Sequence, residues 1–250
     1  MNQVFRSWPP STLGGGAAVL LGALGASSGC TEAETGLFIQ GNVLIEAPDC
    51  VARAEGGATL LLSGLLDVAL RYDYVATLLV GSQLTPRGDK ENLRTETMIT
   101  TITGAEVQLF LDTGELDTEF TVPASGTIGP DGSEDPGFGI VAATLIPQDT
   151  GQNLAADIGD RGEIRTRVAQ VKVFGETVGG LEVESADIRY VIRVCEGCLV
   201  GFPSGSLDGN GVCSLQTDMN IDDAPCHFGQ DELVDCRLCA GFNAYCASPL

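Results

Sequence analysis

Histidine is nearly missing from this chain: His227 is the single one in 250 residues. A Ser-His-Asp or Cys-His site would have to use it, and a three-histidine metal site is excluded by count. His227 stands next to Cys226 in a cysteine-rich stretch, which reads as an exposed structural position. Tryptophan is equally scarce. Trp8 lies in the N-terminal leader, so beyond it the large polar aromatics are Tyr72, Tyr74, Tyr190 and Tyr245. That weakens any carbohydrate site built from stacked aromatic platforms. Positive charge is short as well, with 13 Lys and Arg against 34 Asp and Glu and a net charge of −21. Nucleic acid is therefore an unsuitable partner, because phosphate binding is driven by Lys and Arg. Anionic lipid is also not attracted by charge. The acidic balance fits solubility at an exposed surface or binding of a divalent cation. No apolar run approaches the ~20 residues that span a bilayer, and no internal repeat is visible.

The longest apolar run, Ala17 to Ala26, lies between Arg6 and the small residues Ser27, Ser28 and Gly29. A basic start, a short apolar stretch and a small-residue exit is the layout of a secretory signal. The exit Ser27-Ser28-Gly29-Cys30 resembles that of bacterial lipoprotein precursors, with Ser27 departing from the aliphatic residue usual there. The resemblance covers residues 1–30 only. It implies a signal peptide over 1–29, lipidation of Cys30 and a short acidic tether over 30–35. Thr31, in place of the aspartate that favours inner-membrane retention, implies the outer membrane, with the acyl chains as the contact to lipid. Two alternatives stay open: general cleavage after Ser28 with free secretion, or retention of the segment as an anchor. Lipidation of Cys30 would leave eight of the nine cysteines to pair.

From Gly36 the pattern is that of strands. Leu37 to Ile45 is a first strand or bent strand, and Ala58 to Leu62 is a short one. Leu66 to Val80 alternates without a break, which argues for a sheet with one buried face. Thr85 to Asn92 is a turn cluster. Thr95 to Leu111 alternates again, and the simplest pairing is an antiparallel hairpin of 66–82 with 93–111. Phe120 to Pro123 reads as a short strand, Phe138 to Ile146 as an interior strand and Gln148 to Ile158 as a short helix. Segments 163–174 and 181–194 form a last pair across Gly179-Gly180, with a bulge between Val183 and Ala186. Seven to nine strands with little helix indicate an all-β domain over 36–194. The expected fold is an immunoglobulin-like antiparallel β-sandwich, with a closed barrel as the runner-up.

Residues 195–250 hold Cys195, Cys198, Cys213, Cys226, Cys236, Cys239 and Cys246. That density marks a disulfide-stapled tail with little core of its own. Seven is odd and the eighth cysteine is Cys50, so full pairing ties Cys50 to the tail and docks it on the β-domain. Such a bridge is worth ~4–5 kcal/mol in the chain-entropy view. Eight cysteines allow 105 pairings, and the sequence does not choose. Cys195-x-x-Cys198 and Cys236-x-x-Cys239 also raise zinc, but an oxidising compartment and the long separation of the motifs favour disulfides. A redox role for either motif is a further alternative, without a thioredoxin-like βαβ unit around it.

Calcium is the remaining cofactor candidate. Asp131, Ser133 and Asp135 place oxygens at alternate positions of one loop, and Asp208 and Asn210 do so in another. Neither completes an EF-hand, since Pro136 and Cys213 stand where glycine is needed and Ala142 and Met219 where glutamate is needed. Arg87-Gly88-Asp89 is an adhesive tripeptide in a polar turn, and turns contain Gly-Asp ordinarily. The expectation is a non-enzymatic structural or protein-binding module of the cell envelope, with no catalytic residues. The alternatives are a hydrolase dependent on carboxylates or calcium, and a calcium- or zinc-binding protein.

Overall fold

A computed structural model of the chain describes residues 34–45, 47–88, 95–130, 136–159, 161, 163–214 and 224–249. The strands are β1 (Glu34–Val43), β2 (Leu60–Leu61), β3 (Gly64–Asp67), β4 (Tyr74–Ser82), β5 (Thr100–Leu111), β6 (Leu116–Ile128), β7 (Gly137–Ile146), β8 (Ile164–Thr177), β9 (Glu182–Ser185), β10 (Ile188–Cys195), β11 (Val200–Gly201) and β12 (Val234–Asp235). Among the described residues one α-helix, α1 (Gln148–Asp157), joins β7 to β8, and two 3-10 turns, Cys236–Leu238 and Ala244–Cys246, lie in the tail.

These strands do not stack as two sheets. The order β1-β4-β7-β6-β5-β8 is closed by β9, which pairs with β8 on one side and β1 on the other, making a seven-stranded barrel. The immunoglobulin-like sandwich is therefore incorrect, for a physical reason. Alternation of apolar and polar residues states that each strand has one buried face. It is silent on whether that face looks at a second sheet or at the far wall of the same one. The expected hairpin of 66–82 with 93–111 is also absent. The run breaks after Asp67, whose carbonyl accepts from the N–H groups of Leu70 and Arg71 to form a turn. The second half, β4, then pairs with β1 and β7, while β5 pairs with β6 and β8.

The barrel interior is filled by side chains. Leu78 and Val80 from β4, Val107 and Leu109 from β5, Val141 and Leu145 from β7, and Val171 and Val173 from β8 are all fully buried, with Ala76, Ala105, Ala143 and Ala169 between them. A barrel this small can either be filled by side chains or hold one small ligand, and here it is filled. The outer wall is polar: Thr101, Thr103 and Glu106 on β5, Glu119 and Thr121 on β6, and Arg189 and Arg193 on β10 are exposed. Apolar inside and polar outside is the reverse of a membrane-spanning barrel. Among the described residues no helix is long and apolar enough to cross a membrane.

Two local devices adjust the pattern. A register shift in β5 between Ile102 and Gly104 changes which parity of residue faces inward, so that Ile102 and then Ala105, Val107 and Leu109 are buried. Pro123 of β6 stands opposite Gly104 at this irregularity, where its missing N–H is tolerated. The expected bulge near Val183–Ala186 is the bend at which β9 gives way to β10. Helix α1 begins after Pro147 and contributes Leu154, with Ile158 following it, to the barrel core. Gly151 faces the backbone of Tyr72 so closely that a Cβ there would overlap the Tyr72 carbonyl.

Beyond β10 the chain has little apolar mass. The short parallel pair β11–β12 and the disulfides Cys213–Cys236 and Cys239–Cys246 form a second small cluster with Val200 and Val234. The other two bridges are Cys195–Cys198 and Cys50–Cys226. Cys50 thus ties the loop after β1 to the tail, across 176 residues of sequence.

Truncating Leu78 to Ala at the barrel centre should destabilise the fold by about 2–5 kcal/mol in urea unfolding. The same truncation of Leu62, which is 96% exposed, should change stability by no more than ~0.5 kcal/mol. Equal effects at both positions would contradict a filled interior.

Candidate functional site

The most organised polar feature lies where β9 bends into β10. Above the bend the strand pairs with β1. Below it, β10 turns its free edge to β3, in parallel register from Ile192↔Gly64 to Cys195↔Asp67. This leaves a gap between β3 and the first residues of β4, since β4 pairs with β1 only from Leu78 onward. Tail residues 229–231 fill that gap. Leu66 and Gln230 form an antiparallel bridge. The Asp67 N–H donates to the Gly229 carbonyl at 3.0 Å, and the Asp231 N–H donates to the Leu65 carbonyl at 2.9 Å. On the other side the Gln230 amide imitates a strand. Its Oε1 accepts from the Val75 N–H at 3.0 Å and its Nε2 donates to the Val75 carbonyl at 2.8 Å. The unpaired edge of β4 is thereby satisfied, as buried backbone groups must be.

Inside this seam lies a cluster of polar side chains. A register shift in β1 between Ile39 and Gly41 brings Asn42 to the core side. Its Nδ2 donates to the hydroxyls of Tyr74 and Tyr190, each at 3.0 Å, and its Oδ1 accepts from the Thr77 N–H at 2.8 Å. The two hydroxyls lie 3.2 Å apart. Tyr74 donates to Asp231 Oδ2 at 2.8 Å, and Asp231 Oδ1 accepts from the Leu65 N–H at 2.7 Å. Gln230 Nε2 reaches Asp231 Oδ2 at 3.2 Å and lies 3.4 Å from His227 Nδ1. Gly64 is required beside it, because a Cβ would overlap the Tyr74 hydroxyl. Burial, followed by the Asp231 charge, pushes the Tyr74 phenol far above its usual range, and burial also raises Tyr190. Burial raises the Asp231 carboxyl against the opposing pull of its hydrogen bonds.

A second carboxylate is sunk at the end of β3. Asp67 is fully buried. Its Oδ1 accepts from the N–H groups of Gly197 at 2.7 Å and Ala69 at 3.0 Å, and its Oδ2 accepts from Leu199 at 2.8 Å. It thus grips the loop between Cys195 and Cys198 from inside. Desolvation raises its pKa, with the three N–H groups acting the other way.

The residues singled out from the sequence are placed differently. His227 is not exposed as expected: it is partly buried in the seam, its Nδ1 3.4 Å from Gln230 Nε2. The two Cys-x-x-Cys motifs do not converge, because Cys195 bonds to Cys198 whereas Cys236 and Cys239 belong to separate bridges. Asp208 uses its exposed Oδ1 to accept from the N–H groups of Asn210 and Val212 at 2.8 and 2.9 Å, closing its own turn and lowering its pKa. The N–H groups of Arg87 and Gly88 donate to the Glu96 carboxylate. Cys30, Asp89, Asp131, Ser133 and Asp135 lie outside the described residues.

Asn42, Asp67, Gln230 and Asp231 were not singled out from the sequence. A signal existed for two of them. Asn42 and Asp67 interrupt otherwise apolar stretches, GLFIQGNVLI and LLSGLLDVAL. Strict alternation from Leu66 places Asp67 on the solvent face, yet it is buried. Comparison of the chain with family models, with curated proteins and with solved structures finds no match.

Every polar atom named in the seam cluster has a partner, and a small pocket beside it is lined by Asn42, His227, Gln230 and Asp231. Chemically it is a fastener. Tyr74→Phe should therefore cost about 1–3 kcal/mol, because it strips a partner from Asn42 and Asp231 in a buried place. The folded state holds the Asp231 proton to higher pH than the unfolded state does. The stability linked to this group is thus full below its ordinary value of 3.8 and is lost as pH rises through the raised value. Unfolding free energies against pH should show wild type gaining on Asp231→Asn as pH falls toward 4. A difference independent of pH would remove the raised pKa.

Proposed function

We propose that this protein is an exported, lipid-anchored module of the bacterial outer membrane that works without catalysis, presenting its outer surface to a protein partner. The observation that carries this reading is the filled barrel. Small barrels that take a ligand hold it inside, and here that space is occupied by Leu, Val and Ala side chains. The work is therefore assigned to the outside. Four disulfides suit an oxidising compartment, and the leader resembles that of a lipoprotein. A net charge of −21 favours a partner with a basic face, since complementary charge steers encounter and selects against wrong partners.

Two measurements test it. The intact mass of the protein extracted from its native membrane should begin at Cys30 and carry acyl groups. An unacylated mass beginning elsewhere would make the protein freely secreted. Cross-linking in intact cells should give one stoichiometric partner whose capture weakens as salt rises. Turnover of glycoside or ester substrates that calcium sustains and a chelator abolishes would replace the recognition reading with a hydrolase.

A further inference from the structure

The four disulfides differ in what holds the chain when they open. Cys213–Cys236 and Cys239–Cys246 are buried and staple a tail with little core. Cys50–Cys226 joins segments 176 residues apart. Opening any of these releases chain. Cys195–Cys198 closes a loop of only three residues' separation. That loop is fixed independently of its sulfurs. Cys195 ends β10, paired to both Ile164 of β8 and Asp67 of β3. Asp67 grips the N–H groups of Gly197 and Leu199 on either side of Cys198. Arg161 braces the outside, donating to the carbonyls of Tyr245 and Ser248 with its guanidinium 5.6 Å from the Tyr245 ring centroid. Gly197 lies against that ring in a left-handed conformation, φ 71°. The two residues differ as well: Cys195 is fully buried, and Cys198 is partly exposed.

We propose that Cys195–Cys198 is a thiol–disulfide exchange site that a dithiol reductant opens and closes within the folded barrel, with Asp67 as the positioning residue that keeps both sulfurs in register. The chemistry balances as a two-electron transfer. One thiolate of the reductant attacks Sγ of Cys198, the partly exposed residue of the pair. The Cys195–Cys198 bond breaks and its electron pair goes to Cys195 Sγ, which takes the proton of the reductant's second thiol. The thiolate so formed attacks its own partner sulfur in the mixed disulfide. The bond to Cys198 breaks, Cys198 leaves as thiolate and is protonated from water, and the reductant departs as a disulfide. Attack on the accessible sulfur through a mixed intermediate is the ordinary route of exchange.

Asp67 acts on the equilibrium in two ways. Its oxygen lies within 4.8 Å of both sulfurs, so its negative charge disfavours thiolate there. Its hold on Gly197 and Leu199 keeps the opened loop from relaxing. Both effects favour the closed disulfide.

The test equilibrates the full-length protein in graded mixtures of reduced and oxidised dithiothreitol, then quenches with acid, alkylates and maps peptides. Cys195 and Cys198 should label together with one midpoint while circular dichroism of the barrel is unchanged, and the label should vanish on reoxidation. Labelling of this pair only when the barrel unfolds, or labelling that reoxidation does not reverse, overturns the proposal. Cys195→Ser should leave Cys198 able to form a one-to-one mixed disulfide with glutathione disulfide. Absence of that adduct in the folded variant also overturns it. Asp67→Asn should shift the dithiol–disulfide equilibrium about tenfold toward the dithiol, which is about 30 mV for a two-electron couple. A purely structural Asp67 would lower the melting temperature of both redox forms alike and leave the midpoint in place, which would strike it from the mechanism.

Discussion

A β-strand has two edges, and the segment from Glu182 to Cys195 uses them differently along its length. One edge stays with β8 throughout. The other pairs with β1 above the bend and with β3 below it. Everything else about the architecture follows from this division. Above the bend the barrel closes directly. Below it the wall is one strand short, and a sheet edge left open there would expose unpaired backbone groups beside an apolar core, which is costly. The tail answers with three residues, 229–231. Gln230 supplies from a side chain the donor and acceptor that a neighbouring strand would have supplied from its backbone.

The polar cluster at the seam is explained by the same geometry. A position where strand, tail and core meet cannot be lined wholly by apolar groups, because backbone atoms point into it. Tyr74, Tyr190, Asn42 and Asp231 satisfy one another and the N–H groups of Leu65 and Thr77. A satisfied network of this kind specifies one arrangement over slipped ones. Its members come from β1, β4, β10 and the tail, so it forms only when all four are in place.

The parts of this design legible in the sequence are those encoded by neighbours along the chain. The alternation of Val107 and Leu109 against Glu106 and Gln108 announces a strand. Pro147 and the spacing of Leu154 and Ile158 announce a short helix, and an odd set of seven tail cysteines calls for Cys50. What was not legible depends on partners distant in sequence. Barrel and sandwich share one alternating code, so closure is decided by which edges meet. The run from Leu66 to Val80 reads as one strand because Val68, Leu70 and Tyr72 keep the alternation through a segment that is in fact a turn. Gln230 and Asp231 lie in a polar stretch with no pattern, and only their position against Val75 and Leu65 gives them a role.

The placement of the closing pieces governs when this barrel can form. Contacts that complete it join β1, near the start of the described chain, with β9, and β3 and β4 with residues 229–231. A chain emerging from its N-terminal end has most of its strands before it has the means to close them. Until the tail arrives, the edges of β3 and β4 remain open beside apolar surface, a state prone to mispairing. Long-range closure of this sort makes folding slow. The acidic surface, which repels other copies during that interval, is then as much a safeguard of assembly as a property of the finished protein.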